Sequence, residues 1–229
     1  MKKLFLIGTF SALSFAGIAQ NSSIGIQAGA NMSSPTIKDG SGSSFSKDMK
    51  IGLLAGIVIE VPFSESIGFR PEINFIQKGH KISSKETIGS ISYTDESEAT
   101  LNYVEIPLNF VYNIPAGANH VFVGLGPSFG YGLSGKVKSK STVTGQATVS
   151  DENKIEFGND KAKDDLKPFD FGGNILAGFK MNNGLFFKAA YSLGLINIDL
   201  NTNSTYKNNG FSFTIGYMFK KGENFSKDY

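Results

Sequence analysis

The feature that most restricts this chain is a set of long runs with one bulky, apolar face and one small, polar or charged face. In the run near 98–113, Val104, Ile106, Leu108, Phe110 and Tyr112 alternate with Tyr103, Glu105, Pro107 and Asn109. Near 119–136, Val121, Val123, Leu125, Pro127, Phe129 and Tyr131 oppose Phe122, Gly124, Gly126, Ser128 and Gly130. Near 210–220, Phe211, Phe213, Ile215, Tyr217 and Phe219 oppose Ser212, Thr214 and Gly216. A period of two marks a β-strand. The pattern predicts eight strands, near 23–34, 49–61, 66–82, 98–113, 119–136, 168–182, 185–199 and 210–220. They are long for a soluble domain, where five or six residues is usual, and a tilted strand needs about 9–11 to cross a bilayer.

The bulky face does not fit inside a barrel of this size. Eight strands, each offering about five large side chains, would overfill the interior. Turned inside out, the pattern places large residues against lipid and small and charged ones in the lumen. Closure is then obligatory, because lipid satisfies no backbone hydrogen bonds. The connections agree with this arrangement. "PFSE", "IPAGANH" and "NNG" are short, and they alternate with the long polar stretches "SPTIKDGSGSSFSKD", "SSKETIGSISYTDESEA", 137–167 and "NTNSTYKNN". Short periplasmic turns alternating with long extracellular loops are characteristic of outer-membrane barrels. The expected fold is therefore all-β, an eight-stranded antiparallel up-and-down transmembrane β-barrel. The alternative reading is a soluble periplasmic barrel that binds an apolar ligand.

This pattern assigns Glu60, Arg70, Glu72, Glu105, Asp170, Lys180 and Lys188 to a polar network in the lumen, with Glu60 across from Arg70 around the "PFSE" turn. Mixed, hydrogen-bonded charges are tolerated in such an interior, and they make a plug rather than an open ion path. Tyr103, Tyr112, Tyr131, Tyr191 and Tyr217, near strand ends, are expected to form an interfacial girdle in a chain without tryptophan. Pro107 removes a ladder donor where a closed barrel has no free edge, which predicts a bulge or an unpaired carbonyl beside it.

The start of the chain, MKKLFLIGTFSALSFAGIAQ, has a basic, then an apolar, then a small-residue region, as in a cleaved signal peptide spanning 1–19. The barrel then occupies 20–220 and a periplasmic tail 221–229. Cysteine is absent, so neither a lipid-anchoring thiol nor a disulfide framework is available. A net charge of +2 argues for no nucleic-acid partner.

Catalytic and metal chemistry find little support in the sequence. The two histidines, His80 and His120, fall at opposite rims, which disfavours a shared metal or triad site. His80 near Asp95 or Glu96 is the one rim candidate. "DENKIEFGNDKAKDD" lacks the EF-hand glycine, and "GLGPSFGYG" lacks the GK[ST] of a phosphate loop. No catalytic residue, metal ligand or cofactor is assigned.

"GFRPEINFIQKG", "LNYVEIPLNF", "FVGLGPSFGYGLSGK", "FGGNILAGFKMNNGLFFKAAYSLGLINI" and "FSFTIGYMF" occur in that order. Together they resemble the strand motifs of the PorT-like outer-membrane β-barrel family of Bacteroidetes-type bacteria. The resemblance implies an outer-membrane location, contact with lipid, and Phe219 as the closing aromatic that the barrel-insertion machinery reads. Its namesake branch is associated with a protein-secretion system, so an accessory role in secretion stands beside a small transport channel. The leading expectation is a non-enzymatic anchor whose loops bind an extracellular or periplasmic partner or ligand.

Overall fold

The computed structural model describes residues 22–38 and 48–219. The expected signal peptide (1–19) and tail (221–229) lie outside the described residues. Eight strands make the wall: β1 (Ser23–Ser33), β3 (Lys50–Pro62), β4 (Ile67–Ile88), β5 (Ile91–Ala116), β6 (Asn119–Val143), β8 (Phe169–Lys180), β9 (Leu185–Gly194) and β11 (Asn209–Met218). Each pairs antiparallel with its neighbour in the chain, and β1 also pairs with β11 from Gly25↔Met218 to Ser33↔Gly210, which closes the cylinder. Two short strands, β2 (Thr36–Lys38) and β10 (Thr205–Lys207), form a separate ribbon at the outer end.

The faces divide as the alternation predicts. Ile106, Phe110, Leu125, Ile175, Phe213 and Ile215 all lie exposed on the outside of the wall. Gln27, Arg70, Glu72, Asn74, Glu105, Asn109, Asp170, Asn174 and Lys188 are buried inside it. An exposed apolar band this extensive has no place on a soluble monomer and suits a hydrocarbon solvent. The interior is less uniformly polar than the alternation suggests. Val58, Val111, Phe122, Leu176, Phe186 and Met218 form an apolar layer at the periplasmic end. Leu54, Ile76, Leu101 and Tyr103 form another at the outer end, capped by Leu166, Ile198 and Tyr206 from the connections.

Two of the long polar connections are not loops. β4 and β5 stay in register to a two-residue turn beyond Ile88↔Ile91, where Gly89 adopts a φ of 64°. β6 runs on to Val143 and turns back as β7 (Val149–Ile155), paired from Gly135↔Ile155 to Ser141↔Val149. A four-stranded sheet, β4–β5–β6–β7, therefore projects beyond the membrane. Its polar composition conceals strands because both of its faces meet water, so the apolar half of the alternation is missing.

At Pro107 the second of the two expected outcomes is found: there is no bulge, and the ladder beside it is interrupted. The β4–β5 register is the same above and below it, from Pro71↔Leu108 to Asn74↔Glu105, but pairing lapses over Glu72 and Ile73 opposite Pro107 and Ile106. Similar lapses occur opposite Pro71 on β3 and at Pro127 on β6. The β5–β6 register shift lies elsewhere. Asn102 pairs with Ser134 and Tyr103 with Gly132, leaving Leu133 as an extra residue.

Candidate functional site

The lumen is filled by side chains from every wall strand. At the periplasmic rim, Lys180 Nζ donates to both oxygens of Glu60 at 2.7 and 2.8 Å. Glu60 therefore pairs with Lys180 rather than with Arg70. One layer in, the Arg70 guanidinium lies between the rings of Phe122 and Phe186, 4.6 and 4.4 Å from their centroids. Its nearest carboxylate is Glu72, at 3.7 Å. Stacking of this kind supports a buried guanidinium that lacks a full set of hydrogen-bond acceptors.

Glu72 is the hub of the middle layer. Lys188 Nζ lies 2.6 Å from each of its oxygens, Gln27 Nε2 donates to it at 2.7 Å and Asn74 Nδ2 at 3.0 Å. Beside this hub, Asn174 Nδ2 donates to Asn109 Oδ1 at 2.9 Å. Nearer the outer end, Lys78 pairs with Glu105 and lies 3.3 Å from Asp170, whose Oδ2 also accepts from Asn208 at 2.9 Å. A void of about 10 Å³ among Lys78, Glu105, Ser128 and Asp170 has room for roughly one water. The expected lumen residues thus fall into three groups: Glu60 with Lys180; Arg70, Glu72 and Lys188; and Glu105 with Asp170. The last group is joined through Lys78, which the sequence reading missed. Its signal was available, since Lys78 continues the inward series Arg70, Glu72, Asn74, Ile76.

Tyr103 does not belong to a membrane girdle. It is fully buried, its ring meets Phe157 edge-on at 5.5 Å, and Lys78 Nζ lies 5.1 Å from its centroid. It shares the parity of Glu105, which fixes it inside the barrel. Tyr112, Tyr131 and Tyr217 stand exposed on the outer wall, and Tyr191 packs against Phe211 there at 4.7 Å.

The rim candidate for catalysis is not assembled. His80 Nδ1 lies 3.1 Å from the Tyr206 hydroxyl. In the sheet His80 is opposite Ala99, whereas Asp95 is opposite Ser84 and accepts from Ser141 Oγ at 2.5 Å. Glu96 stands on the other face of the sheet, 3.9 Å from Lys81.

The sequence matches the family described as "Outer membrane protein beta-barrel domain" over residues 18–200. The chain belongs to that family. This outer-membrane barrel is accordingly all-β and up-and-down, with short periplasmic turns and long extracellular connections. Among solved structures it is similar to Ail, the attachment invasion locus protein of Yersinia pestis, in complex with the heparin analogue sucrose octasulfate. The identity there is 15%, over 86% of this chain and 99% of that one, with a TM-score of 0.39. It is also similar to Neisserial surface protein A (12%, 87% and 99%, TM-score 0.40). A third likeness is to the outer membrane protease OmpT from Escherichia coli (11%, 86% and 97%, TM-score 0.30). Likenesses this remote say nothing of ligand or activity. No curated protein matches the sequence.

Proposed function

We propose that this outer-membrane barrel is a non-enzymatic anchor, plugged through its bore, that presents its extracellular sheet and connections to a ligand or protein partner. The observation that carries this reading is the filling of the lumen at successive heights. The Glu60–Lys180 pair, the ring-stacked Arg70, the Glu72–Lys188 hub and the Lys78–Glu105–Asp170 group follow one another from rim to cap. A rigid barrel carrying projecting segments is a common binding architecture. Planar-bilayer recordings on protein with heat-modifiable migration test the reading. Absence of discrete conductance steps is expected, and regular steps would establish the channel alternative instead. The PorT-like resemblance of the strand motifs supports a second reading, an accessory role in protein secretion. Co-purification of secretion components with the tagged barrel tests it.

A further inference from the structure

We propose that the outward face of the projecting sheet docks the phosphorylated headgroups of outer-leaflet lipid. The level at which the wall leaves hydrocarbon is marked by a cross-strand polar row. Gln77 Nε2 donates to Asn102 Oδ1 at 3.1 Å, and Asn102 Nδ2 donates to Ser134 Oγ at 3.0 Å. On the membrane side of this row the outward residues are Phe75, Val104 and Tyr131; beyond it lysines begin.

Lys81, Lys85, Lys136, Lys138, Lys140 and Lys154 all stand on this outward face, with Glu96, Glu98 and Glu152 among them. The opposite face carries Glu86, Asp95 and Asp151; its one lysine among the described residues of these strands is Lys78, at the base of the sheet, where Glu105 and Asp170 hold it in the lumen. A sheet charged only for solubility has no reason to sort its cations onto one side. The sorting depends on the bulge at Leu133. Below it the even-numbered residues of β6, such as Ser128 and Gly130, point into the lumen; above it Lys136, Lys138 and Lys140 point out. A bulge re-aims a strand's side chains in this way.

The glutamates do not neutralise the patch. Glu98 is taken by Lys50 at 2.6 Å, and Glu152 is shared by Lys136 at 3.4 Å and Lys138 at 3.2 Å. Lys85, Lys140 and Lys154 have no ion-pair partner among the described residues. Lys136 also lines two adjoining clefts. One, of about 430 Å³, is edged by Lys81, Lys138 and Lys140. The other, of about 570 Å³, combines Lys154 with Tyr131, Leu133 and Phe157. Cations above an apolar ledge, at the edge of the hydrocarbon, match an anionic amphiphile rather than a soluble protein. Basic side chains at such a surface attract anionic headgroups. The proposal rests on the membrane placement and is independent of whether the lumen conducts.

The test uses the mature protein folded in neutral detergent, with lipid A as the probe and bound lipid measured by native mass spectrometry. Wild type should retain the bisphosphorylated lipid. The triple change Lys136→Gln, Lys138→Gln and Lys140→Gln should weaken binding by at least about tenfold, while the matching arginine triple and Lys163→Gln, outside the sheet, retain it. Heat-modifiable migration reports folding of each variant. Should the glutamine triple fail to fold, the wild-type affinity must still fall steeply with added salt. Unchanged binding by a folded glutamine triple, a flat salt response, or equal binding of dephosphorylated lipid would overturn the proposal. So would lysine-dependent binding of dextran sulfate without binding of lipid A, which would mark the face as a site for soluble polyanions.

Discussion

Lys188 on β9 holds its ammonium 2.6 Å from both oxygens of Glu72 on β4, across the lumen, with both side chains almost wholly buried. Each charge is tolerable there only because the other is present. Arg70 also depends on Glu72 for its nearest counter-charge, which makes the two halves unequal. Glu72→Gln strands two cations, whereas Lys188→Met leaves Glu72 beside Arg70. The expected loss is about 3–5 kcal/mol for Glu72→Gln and less for Lys188→Met. The double variant should be more stable than Glu72→Gln alone. Urea unfolding in lipid vesicles measures all three.

Ile106 stands outward in mid-wall. Ile106→Lys should destabilise the inserted barrel by about 2–4 kcal/mol, the cost of a basic side chain on the lipid face near the midplane. Ile91, exposed at the tip of the β4–β5 ribbon, provides the contrast. Ile91→Lys should lie within about 0.5 kcal/mol of wild type. Equal effects in the same unfolding assay would contradict the placement of the apolar band.

Glycines in the wall are not equivalent. A Cβ on Gly126 would fall on the Leu108 carbonyl oxygen of the adjoining strand, whereas one on Gly173 would meet nothing within 4 Å. Gly126→Val should therefore block assembly of the heat-modifiable form, and Gly173→Ala should leave it intact.

The hydrogen bond from Lys50 holds the Glu98 carboxyl below its ordinary value, helped by the nearby charges of Lys50, Lys81 and Lys138. A carboxylate with a depressed value contributes stability that is fully present above its unfolded-state value. That contribution is lost as pH falls through the lowered one. The Lys50–Glu98 tether at the outer end of β3 should hence loosen on acidification. Hydrogen-exchange protection in Asp48–Gly52, taken relative to the intrinsic exchange rate at each pH, should be lower at acid pH than at neutral pH, and Lys50→Met should remove the part of the response due to the tether.

The wall strands were legible because period two and the contrast between lipid and lumen act together over long runs. Val104, Ile106, Leu108 and Phe110 could face only one way. Position on a face did not reveal partners, however. Glu60 does stand across from Arg70 in the β3–β4 register, as expected, but its ion-pair partner is Lys180, 120 residues away in the chain. Such contacts depend on barrel diameter and side-chain length, which local spacing does not encode. Tyr103 was misplaced by proximity to a strand end, although its parity with Glu105 puts it inside. The lysine-rich face was hidden by the bulge at Leu133, since uninterrupted alternation sends Lys136 and Lys138 toward the lumen. In the projecting sheet both faces are wet, and the periodic signal fades.

The missing rungs beside Pro71, Pro107 and Pro127 fall on three adjoining strand interfaces, and those on β4 include Arg70 and Glu72. At that height the backbone does little to say which residue belongs opposite which. A two-residue slip keeps every apolar side chain facing lipid and leaves the face pattern undisturbed. It would nevertheless carry Glu72 away from Lys188 and Arg70 out from between Phe122 and Phe186. The charges in the bore thus act as a key for alignment: the interior decides how the wall is laced where the lacing is weakest.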